Sequence, residues 1–467
     1  MESKYLKERL GYAQEIVDTL LKKYEFAAIL GKHIYGKSLR ITNRAKSIGD
    51  TMEKQCGFVI KIFHQGIYSE YSFAKLEKDE IPEIIKNVEN NLNLSKELLE
   101  NHMNLTALED EPLKQDFERP SLGKKYQTQE LFNIANQLTE DMAKKDPKII
   151  QCGMMIETYT VNSFYISRNR HLTQSFTWNM VAPICVVREG SNIKFGRRLY
   201  VGNNIEESLN KAQSEGMGVV DDAIALLKAE TIEPGEYEII THPSITGLIA
   251  HEAFGHGVEM DMFVKNRAKS RQYINKPVAS PLISMHDGAA ATYSCASYFF
   301  DDDGVIAQDT LIIDKGILKT GICDVIAANE LKTKATGNSR RESPYRKAYT
   351  RMTNTFFEPG ESNIEDMIKS VKHGYMLFET NNGMEDPKNW NIQCVAEYGK
   401  EIKDGKFTGK IVSPVVMSGY VPDLLMSISM VSKDFEVIGA GHCGKGHKEW
   451  VPVSDGGPYL KARCKLS

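Results

Sequence analysis

Apolar residues recur at helical spacing through much of the first half of the chain. This pattern predicts helices over about 3–24, 80–102, 128–143 and 205–229. Two strand-like runs, 57–63 and 67–73, flank His64-Gln65-Gly66 and predict a β-hairpin with a glycine turn. Further strand-like runs cover roughly 149–200, and the polar stretch 105–126, broken by two prolines, is interpreted as a loop or lid.

The turn sequence Glu233-Pro234-Gly235 marks the main predicted domain boundary, just past the midpoint of the chain. Beyond it the pattern predicts one strand and two helices, over 237–241, 244–256 and about 364–373. The rest of this half is typical of short strands with glycine-rich turns. The sequence therefore predicts an α+β fold. A helix-and-sheet domain spans residues 1–230, and a β-rich domain carrying a candidate metal site spans residues 231–467.

The composition is that of an ordinary globular protein and excludes several classes. The 467 residues are 41% hydrophobic and 26% charged, which excludes a disordered chain, a collagen or a coiled coil. No apolar run approaches the roughly 18 residues that a membrane-spanning helix needs. A net charge of -4 gives no reason to expect a nucleic acid or an anionic membrane as a partner.

Cysteine usage indicates a reducing compartment. The eight cysteines are scattered along the chain with no CxxC pair. The start, Met1-Glu2-Ser3-Lys4, lacks the basic and apolar segments of a signal peptide. We therefore expect a cytoplasmic protein with mostly free, buried thiols, one of which takes part in chemistry.

The most informative motif is His251-Glu252-x-x-x-His256. Histidines that bind zinc from one helix usually lie four residues apart, on the same face. Here they lie five apart, so on an ideal helix the second ring points about 140° away from the first. Gly255 and Gly257 flank His256 and favour a local break. The pattern predicts that the helix bulges or unwinds between the two histidines.

A catalytic zinc site usually has three protein ligands and one open position, so two imidazoles leave one ligand missing. The candidates for it are Cys443, His442, His447, Glu259 and Asp261. Residue types alone leave this choice open, and they also leave open that His251 and His256 are structural. Glu252 leaves the helix on a different face from His251, which suits a group that contacts a metal-bound water rather than the metal.

Together with other segments, this motif resembles the TldD/PmbA (TldE) peptidase family, formerly grouped as modulators of DNA gyrase. The segments that carry the resemblance are His251-Glu252-x-x-x-His256 with Gly257 and Asp261, Asp301-Asp302-Asp303-Gly304, Gly337-Asn338-Ser339-Arg340-Arg341-Glu342-Ser343 with Arg351-Met352-Thr353-Asn354-Thr355, and Cys443-Gly444-Lys445 with Pro452-Val453-Ser454-x-Gly456-Gly457-Pro458. The resemblance is close over about 231–467 and looser, though colinear, over the first half.

The resemblance implies a zinc-dependent peptidase that hydrolyses short or unfolded peptides. It implies that His251, His256 and Cys443 hold Zn²⁺, and that Glu252 is the general base for attack of a metal-bound water on the peptide carbonyl. The intact motif resembles the active, TldD-type subunit. A dimer is implied, either with a second copy or with a TldE/PmbA-like subunit, its site facing an internal chamber. The alternative function is a non-catalytic partner or scaffold subunit of a TldD/TldE-type complex.

Two further charged segments are interpreted mainly as structural. The aspartates at 301–303 predict a turn, because a calcium loop needs an oxygen ligand at its fifth position and Val305 stands there. Arg340, Arg341 and Arg351 are assigned to structure or to substrate binding, including stabilisation of an oxyanion.

Overall fold

Two large β-sheets, one in each half of the chain, organise the fold. The structure, a computed structural model, describes residues 2–51, 54–98, 105–108, 111–446 and 448–467. Strands up to Gly202 form a nine-stranded sheet, and strands from Gly235 onward form an eleven-stranded sheet. Helices accompany both sheets, which confirms the expected α+β class.

The first half contains five α-helices and nine strands among its described residues. The helices are α1 (Lys4–Lys7), α2 (Leu10–Leu20), α3 (Ile81–Leu98), α4 (Thr128–Ala143) and α5 (Ile205–Leu226). The strands are β1 (Phe26–Thr42), β2 (Lys46–Asp50), β3 (Gln55–His64), β4 (Ile67–Phe73), β5 (Leu113–Arg119), β6 (Ile149–Ser167), β7 (Arg170–Glu189), β8 (Asn192–Arg197) and β9 (Tyr200–Gly202). The main sheet order is β4-β3-β1-β6-β7-β5, with β2 beside β1 and both β8 and β9 beside β7.

The alternating pattern of β1 explains how this sheet is covered. Ala27 and Ile29 belong to a core that includes residues of α1, α2 and α3. Ala28 and Leu30 point to the opposite face and share a core with Phe300 from the second half. Because successive side chains of a strand point to opposite faces, the sheet has helices on one face and contacts the second half with the other.

Most predicted elements of the first half are confirmed, including the β-hairpin. Gln65 and Gly66 form its two-residue turn with φ of 52° and 83°, the left-handed pair that a tight hairpin requires. The predicted helix over 3–24 is interrupted between α1 and α2. The helix predicted over 80–102 is confirmed as far as Leu98, and its last residues lie outside the described residues.

The interpretation of 105–126 as a loop is wrong in its central part. β5 pairs in parallel with β7 along its whole length. Its residues are mostly polar, and only Leu113 and Phe117 pack as apolar side chains in the contact with the second half. Edge strands often lack the apolar alternation that marks a strand in a sequence.

The second half contains five short α-helices and thirteen strands among its described residues. The helices are α6 (Pro243–Leu248), α7 (Met260–Val264), α8 (Val325–Leu331), α9 (Ile364–Lys369) and α10 (Val421–Met426). The strands are β10 (Gly235–Thr241), β11 (Met285–Asp287), β12 (Thr310–Asp314), β13 (Ile317–Leu318), β14 (Ser339–Arg340), β15 (Tyr349–Thr350), β16 (Asn354–Phe357), β17 (His373–Asp386), β18 (Asn391–Lys403), β19 (Lys406–Val412), β20 (Val415–Tyr420), β21 (Met430–Lys445) and β22 (Lys448–Leu466). The large sheet has the order β10-β17-β18-β20-β22-β16-β11-β12-β13, with β19 beside β18 and β21 beside β22, and β14 pairs with β15 separately.

The expectation of only short strands in this half is wrong. β17, β18, β21 and β22 have 14, 13, 16 and 19 residues. Register shifts interrupt the β17–β18 and β21–β22 ladders, so a continuous alternation of apolar and polar residues does not develop. The predicted strand and the two predicted helices are confirmed as β10, α6 and α9. α9 is shorter than expected, and α6 covers only the first part of the helix predicted over 244–256, which continues in other helix types.

Buried ion pairs join the two halves of the chain. Lys61 and Glu70, on β3 and β4, lie 3.2 Å apart. Lys61 also pairs with Asp303, and Arg341 lies 3.2 Å from Glu70, so both β-strands are tied to the second half. Burial opposes ionisation of Glu70, but Arg341 and Lys61 lower its pKa to about 2. The aspartate turn therefore serves the contact between the halves.

Glu70→Gln should lower the free energy of unfolding at neutral pH by about 3 kcal/mol, because it leaves buried cations without their shared partner. The folded pKa of about 2 lies below the ordinary 4.5, so the carboxylate stabilises the fold above about pH 4.5 and this contribution is lost as the pH falls towards 2. Urea unfolding at several pH values should show a flatter acid dependence in the variant.

Asp50→Asn is the matched control, because Asp50 also lies between two cations, Lys37 and Lys54, but at the surface. We expect no measurable change in its unfolding at neutral pH. Equal effects of the two substitutions would contradict the conclusion that buried ion pairs hold the two halves together.

Candidate metal centre

The two motif histidines lie on either side of a change in helix type. α6 continues into a π-helical segment, Ile249–Gly255, and then into a 3₁₀ turn, His256–Val258. The backbone N–H of His256 donates to the carbonyl of His251, which is an i→i+5 hydrogen bond. At about 4.4 residues per turn, this geometry places the second ring about 50° from the first instead of 140°. The predicted distortion is confirmed, as a π-helical turn.

The glycines of this segment provide space rather than unusual backbone angles. Gly255 has a helical φ of -60° and ψ of -52°. A Cβ there would overlap Sδ of Met352, and a Cβ at Gly257 would lie 2.8 Å from Oε1 of Glu385. Both positions therefore stay small because neighbouring side chains pack directly against the backbone.

His251, His256 and Cys443 come together in the folded chain. Sγ of Cys443 lies 3.3 Å from Nε2 of His256. The two imidazole centroids are 5.2 Å apart and nearly perpendicular, at 84°. One candidate ligand atom from each residue lies within 4.8 Å of the other two. The structure thus gathers the three residues to which the resemblance assigns a metal.

The other candidates for the third ligand are placed differently. Glu259 lies 3.5 Å from Nδ1 of His256, on the far side of the ring from Cys443. Asp261 accepts a hydrogen bond of 2.8 Å from Lys445. His442 precedes Cys443 on β21 and is exposed, whereas Cys443 is buried, and His447 lies outside the described residues.

Electrostatics favour a thiolate at this position. Burial opposes charge on all three groups, but Cys443 and Glu252 raise the pKa of His251 to about 9. Cys443 and Glu259 likewise hold the pKa of His256 well above its ordinary value against the same burial. Burial acts to raise the pKa of the Cys443 thiol, but the two imidazoles lower it well below its ordinary value. The thiolate is the form in which cysteine binds metals.

A carboxylate orients His256 from behind. Oε2 of Glu259 lies 3.5 Å from Nδ1 of His256. Nζ of Lys445 donates to Glu259 at 3.0 Å and to Asp261 at 2.8 Å. Burial would raise the pKa of Glu259, but Lys445, His256 and Arg351 lower it below its ordinary value. With Nδ1 held by a carboxylate, Nε2 is the nitrogen directed at Cys443, an arrangement common behind metal-binding histidines.

Glu252 lies beside the three candidate ligands and packs against strand β17. Its Oε2 is 3.9 Å from Nε2 of His256. A Cβ on Gly383 of β17 would lie only 2.5 Å from Cγ of Glu252. The bare backbone of β17 therefore provides the surface on which this carboxylate rests.

Two residues at the site were not found by sequence reasoning. Gly383 stands in a polar stretch with no recognisable motif. Asp455 occupies the unassigned position of the Pro452–Pro458 signature, where burial raises its pKa to about 7 and His251 opposes that rise. Gly247 leaves room for Asp455, since a Cβ there would overlap Oδ1 of that residue. The position of Asp455 within the signature was the one available signal.

The three arginines bind to the protein itself. The side chains of Arg341 and Arg351 are each 1% exposed. Arg341 pairs with Glu70, and Arg340 donates to the carbonyl of Met352 at 2.7 Å. These contacts favour the structural interpretation over a role at an oxyanion.

The donor set fits a divalent ion such as zinc. Two imidazoles and a thiolate leave the fourth tetrahedral position open, as in catalytic zinc sites. Ligand atoms on a tetrahedral zinc lie about 3.3 to 3.6 Å apart, given metal–ligand distances of about 2.0 to 2.3 Å, and the sulfur–nitrogen distance of 3.3 Å agrees. Nδ1 of His251 is buried and has no hydrogen-bond partner among the described residues, which is costly unless a ligand satisfies it.

Residues 234–464 match the family described as the PmbA/TldA metallopeptidase C-terminal domain. A metalloprotease of Methanocaldococcus jannaschii is 30% identical over 304 residues, a match that covers 65% of this chain and 66%, just under two thirds, of that relative. A zinc metalloprotease TldD homolog of Saccharolobus solfataricus is 23% identical over 461 residues, covering 94% of this chain and 95% of the relative.

The fold also occurs among solved structures. TldE of Thermococcus kodakarensis matches 98% of this chain and 100% of its own, with a TM-score of 0.74 and 17% identity. At this identity the similarity concerns the fold. Among the described residues, no helix is long and apolar enough to cross a membrane.

In metal-free protein, the Cys443 thiol should ionise well below the ordinary thiol pKa of about 8.5, because two imidazoles stabilise the thiolate. A pH titration of thiolate absorbance in the ultraviolet, with Cys443→Ser as the reference, should show this step at lower pH than for an ordinary thiol. His256→Gln should move the step to higher pH.

Cys464→Ser is the control, because burial raises the pKa of Cys464 to about 11. Its removal should leave the low-pH step unchanged. A step that persists in Cys443→Ser would contradict the assignment.

Proposed function

We propose that the chain is a zinc-dependent peptidase acting on short or unfolded peptides, on the premise that it belongs to the TldD/PmbA metallopeptidase family. The proposal rests on one observation. Cys443 contacts His256, 187 residues away in the sequence, and both lie next to His251 and Glu252. Three nitrogen and sulfur donors beside one carboxylate form the minimal set for metal-assisted hydrolysis.

Each of these residues has a role in the proposed reaction. His251, His256 and Cys443 would hold the ion. Zinc supplies Lewis acidity, which lowers the pKa of a water and polarises the scissile carbonyl. Glu252 takes the proton from the attacking water and returns it to the leaving amine. The Cys443 thiolate would partly neutralise the ion and so moderate its Lewis acidity.

Assembly and location form a second part of the proposal. The similarity to TldE supports a dimer with a TldE/PmbA-like subunit or with a second copy of this chain. All eight cysteines are free, as a reducing cytoplasm would keep them. The strands of one sheet all precede residue 203 in the sequence, and those of the other all follow residue 234. This supports a division into domains 1–230 and 231–467.

Glu252→Gln should keep zinc and lose hydrolysis, by about 100- to 10,000-fold in kcat, because general acid–base catalysis has that magnitude. Metal analysis of the purified wild type should give about one zinc per chain, and Cys443→Ser should give less. A chain without bound metal would support the scaffold subunit instead. Unchanged hydrolysis in Glu252→Gln would refute the assigned general base.

Gly383→Ala should lower kcat at least 10-fold while zinc stays bound, because the atoms nearest to the added methyl group belong to Glu252 and Leu248 and not to the three ligands. Peptide hydrolysis and zinc content are measured on the same samples. Gly419→Ala is the matched control, since Gly419 is also in a strand of this sheet and nothing lies within 4 Å of the added carbon. Equal activities of the two variants would show that β17 does not position Glu252.

A further inference from the structure

Arg351 lies between the two chain segments that carry the site. One segment is the π-helical turn with its histidines, and the other is β21 with Cys443. The guanidinium donates to the carbonyl of Cys443 at 2.8 Å and also to the carbonyl of Glu449 across the hairpin. Its Nε lies 3.4 Å from Oε1 of Glu259, as an ion pair that lacks hydrogen-bond geometry. One buried side chain thus contacts both segments.

The carbonyl of Cys443 is available because the ladder around it is irregular. The β21–β22 register shifts between Ile438 and Gly441 and again between Cys443 and Lys445. Glu449, opposite this region, has a φ of 61°. A strand that is disrupted on both sides of Cys443 does not by itself fix the direction of the thiol. The position of Cys443 therefore depends on contacts outside the ladder.

Arg351 is suited to fix a distance because of its shape. The guanidinium is planar and presents its donors in a rigid fork. One edge holds the peptide group of Cys443, and Nε faces Glu259, which in turn orients His256. A change at the guanidinium would therefore shift the sulfur and the imidazole relative to each other.

Lys445 gives a second contact to Glu259, but of a different kind. Its Nζ lies 3.0 Å from Glu259, 2.8 Å from Asp261 and 3.2 Å from the carbonyl of Thr350. Lys445 is itself the last residue of β21, so it links this strand to Glu259 through its own side chain. Among the described residues, its side-chain hydrogen bonds do not include the peptide group of Cys443, which Arg351 holds directly. Because Lys445 remains, loss of Arg351 would not leave Glu259 without a cation.

We propose that Arg351 is the positioning residue that sets the Cys443 sulfur against the His256 ring, by joining the Cys443 carbonyl to Glu259. This inference rests on the proposed metal site and adds a residue that acts through two of its ligands. Arg351 does not reach substrate, because its side chain is 1% exposed and all three of its nitrogens face protein groups.

The test loads the full chain with Co²⁺, whose sulfur-to-metal charge-transfer band reports the thiolate bond directly. Wild type should show the band and Cys443→Ser should lack it. Arg351→Gln should bind Co²⁺ about 10- to 100-fold more weakly, the range for loss of an outer partner of a metal ligand. At equal bound cobalt, its band should be at least 2-fold weaker.

Arg340→Gln is the matched control, since Arg340 is also a buried arginine that donates to a main-chain carbonyl, but to Met352 rather than Cys443. It should keep the wild-type band and affinity. Glu259→Gln removes the charge at the other end of this link, so it should weaken both Co²⁺ binding and the band per bound cobalt.

Arg351→Lys separates charge from geometry and replaces the glutamine variant if that one does not fold. It keeps the positive charge but loses the fork, so we expect the same weakened band. Far-ultraviolet circular dichroism establishes that each variant is folded. A folded Arg351 variant with the wild-type band and affinity overturns the inference, whereas a wild type without the band overturns the proposed metal site itself.

Discussion

One backbone hydrogen bond, from the N–H of His256 to the carbonyl of His251, determines whether the two imidazoles face the same point. In an α-helix this N–H would instead bond to the carbonyl of Glu252, four residues back, and the rings would diverge by about 140°. The i→i+5 bond inserts one extra residue into the turn and brings the rings to 5.2 Å between centroids. The chemistry of the site thus depends on a local departure from regular helix.

The same turn is held in place by close packing around it. Gly255 lies against Met352, Gly257 against Glu385, and Gly247 against Asp455. In each case a methyl group would overlap or crowd a neighbouring side chain. Packed interiors adjust little to an added carbon. The turn therefore requires glycine at these three positions, just as the candidate metal site requires the two histidines.

Charge balance makes the burial of this site possible. A thiolate, two imidazoles, Glu259, Asp261, Lys445 and Arg351 lie within one connected network of contacts. An isolated buried charge would cost several kcal/mol, and each group here has a partner of opposite sign. The buried pairs between the halves, around Glu70 and Lys61, follow the same rule at the contact between the sheets.

The sequence could predict those features of the structure that depend on residues close together in the chain, and not those that depend on residues far apart. α4, α5 and the β3–β4 hairpin depend on neighbours within a few residues, and local periodicity was enough to place them. The need for a distorted turn also followed locally, from the spacing of His251 and His256. Cys443, by contrast, reaches the site through a ladder with three register shifts. Residue types therefore did not distinguish it from the other candidate ligands, and the choice came from family resemblance alone. Gly383 and Arg351 act on Glu252 and Cys443 only across the folded chain, through a backbone surface and a carbonyl that no local pattern encodes.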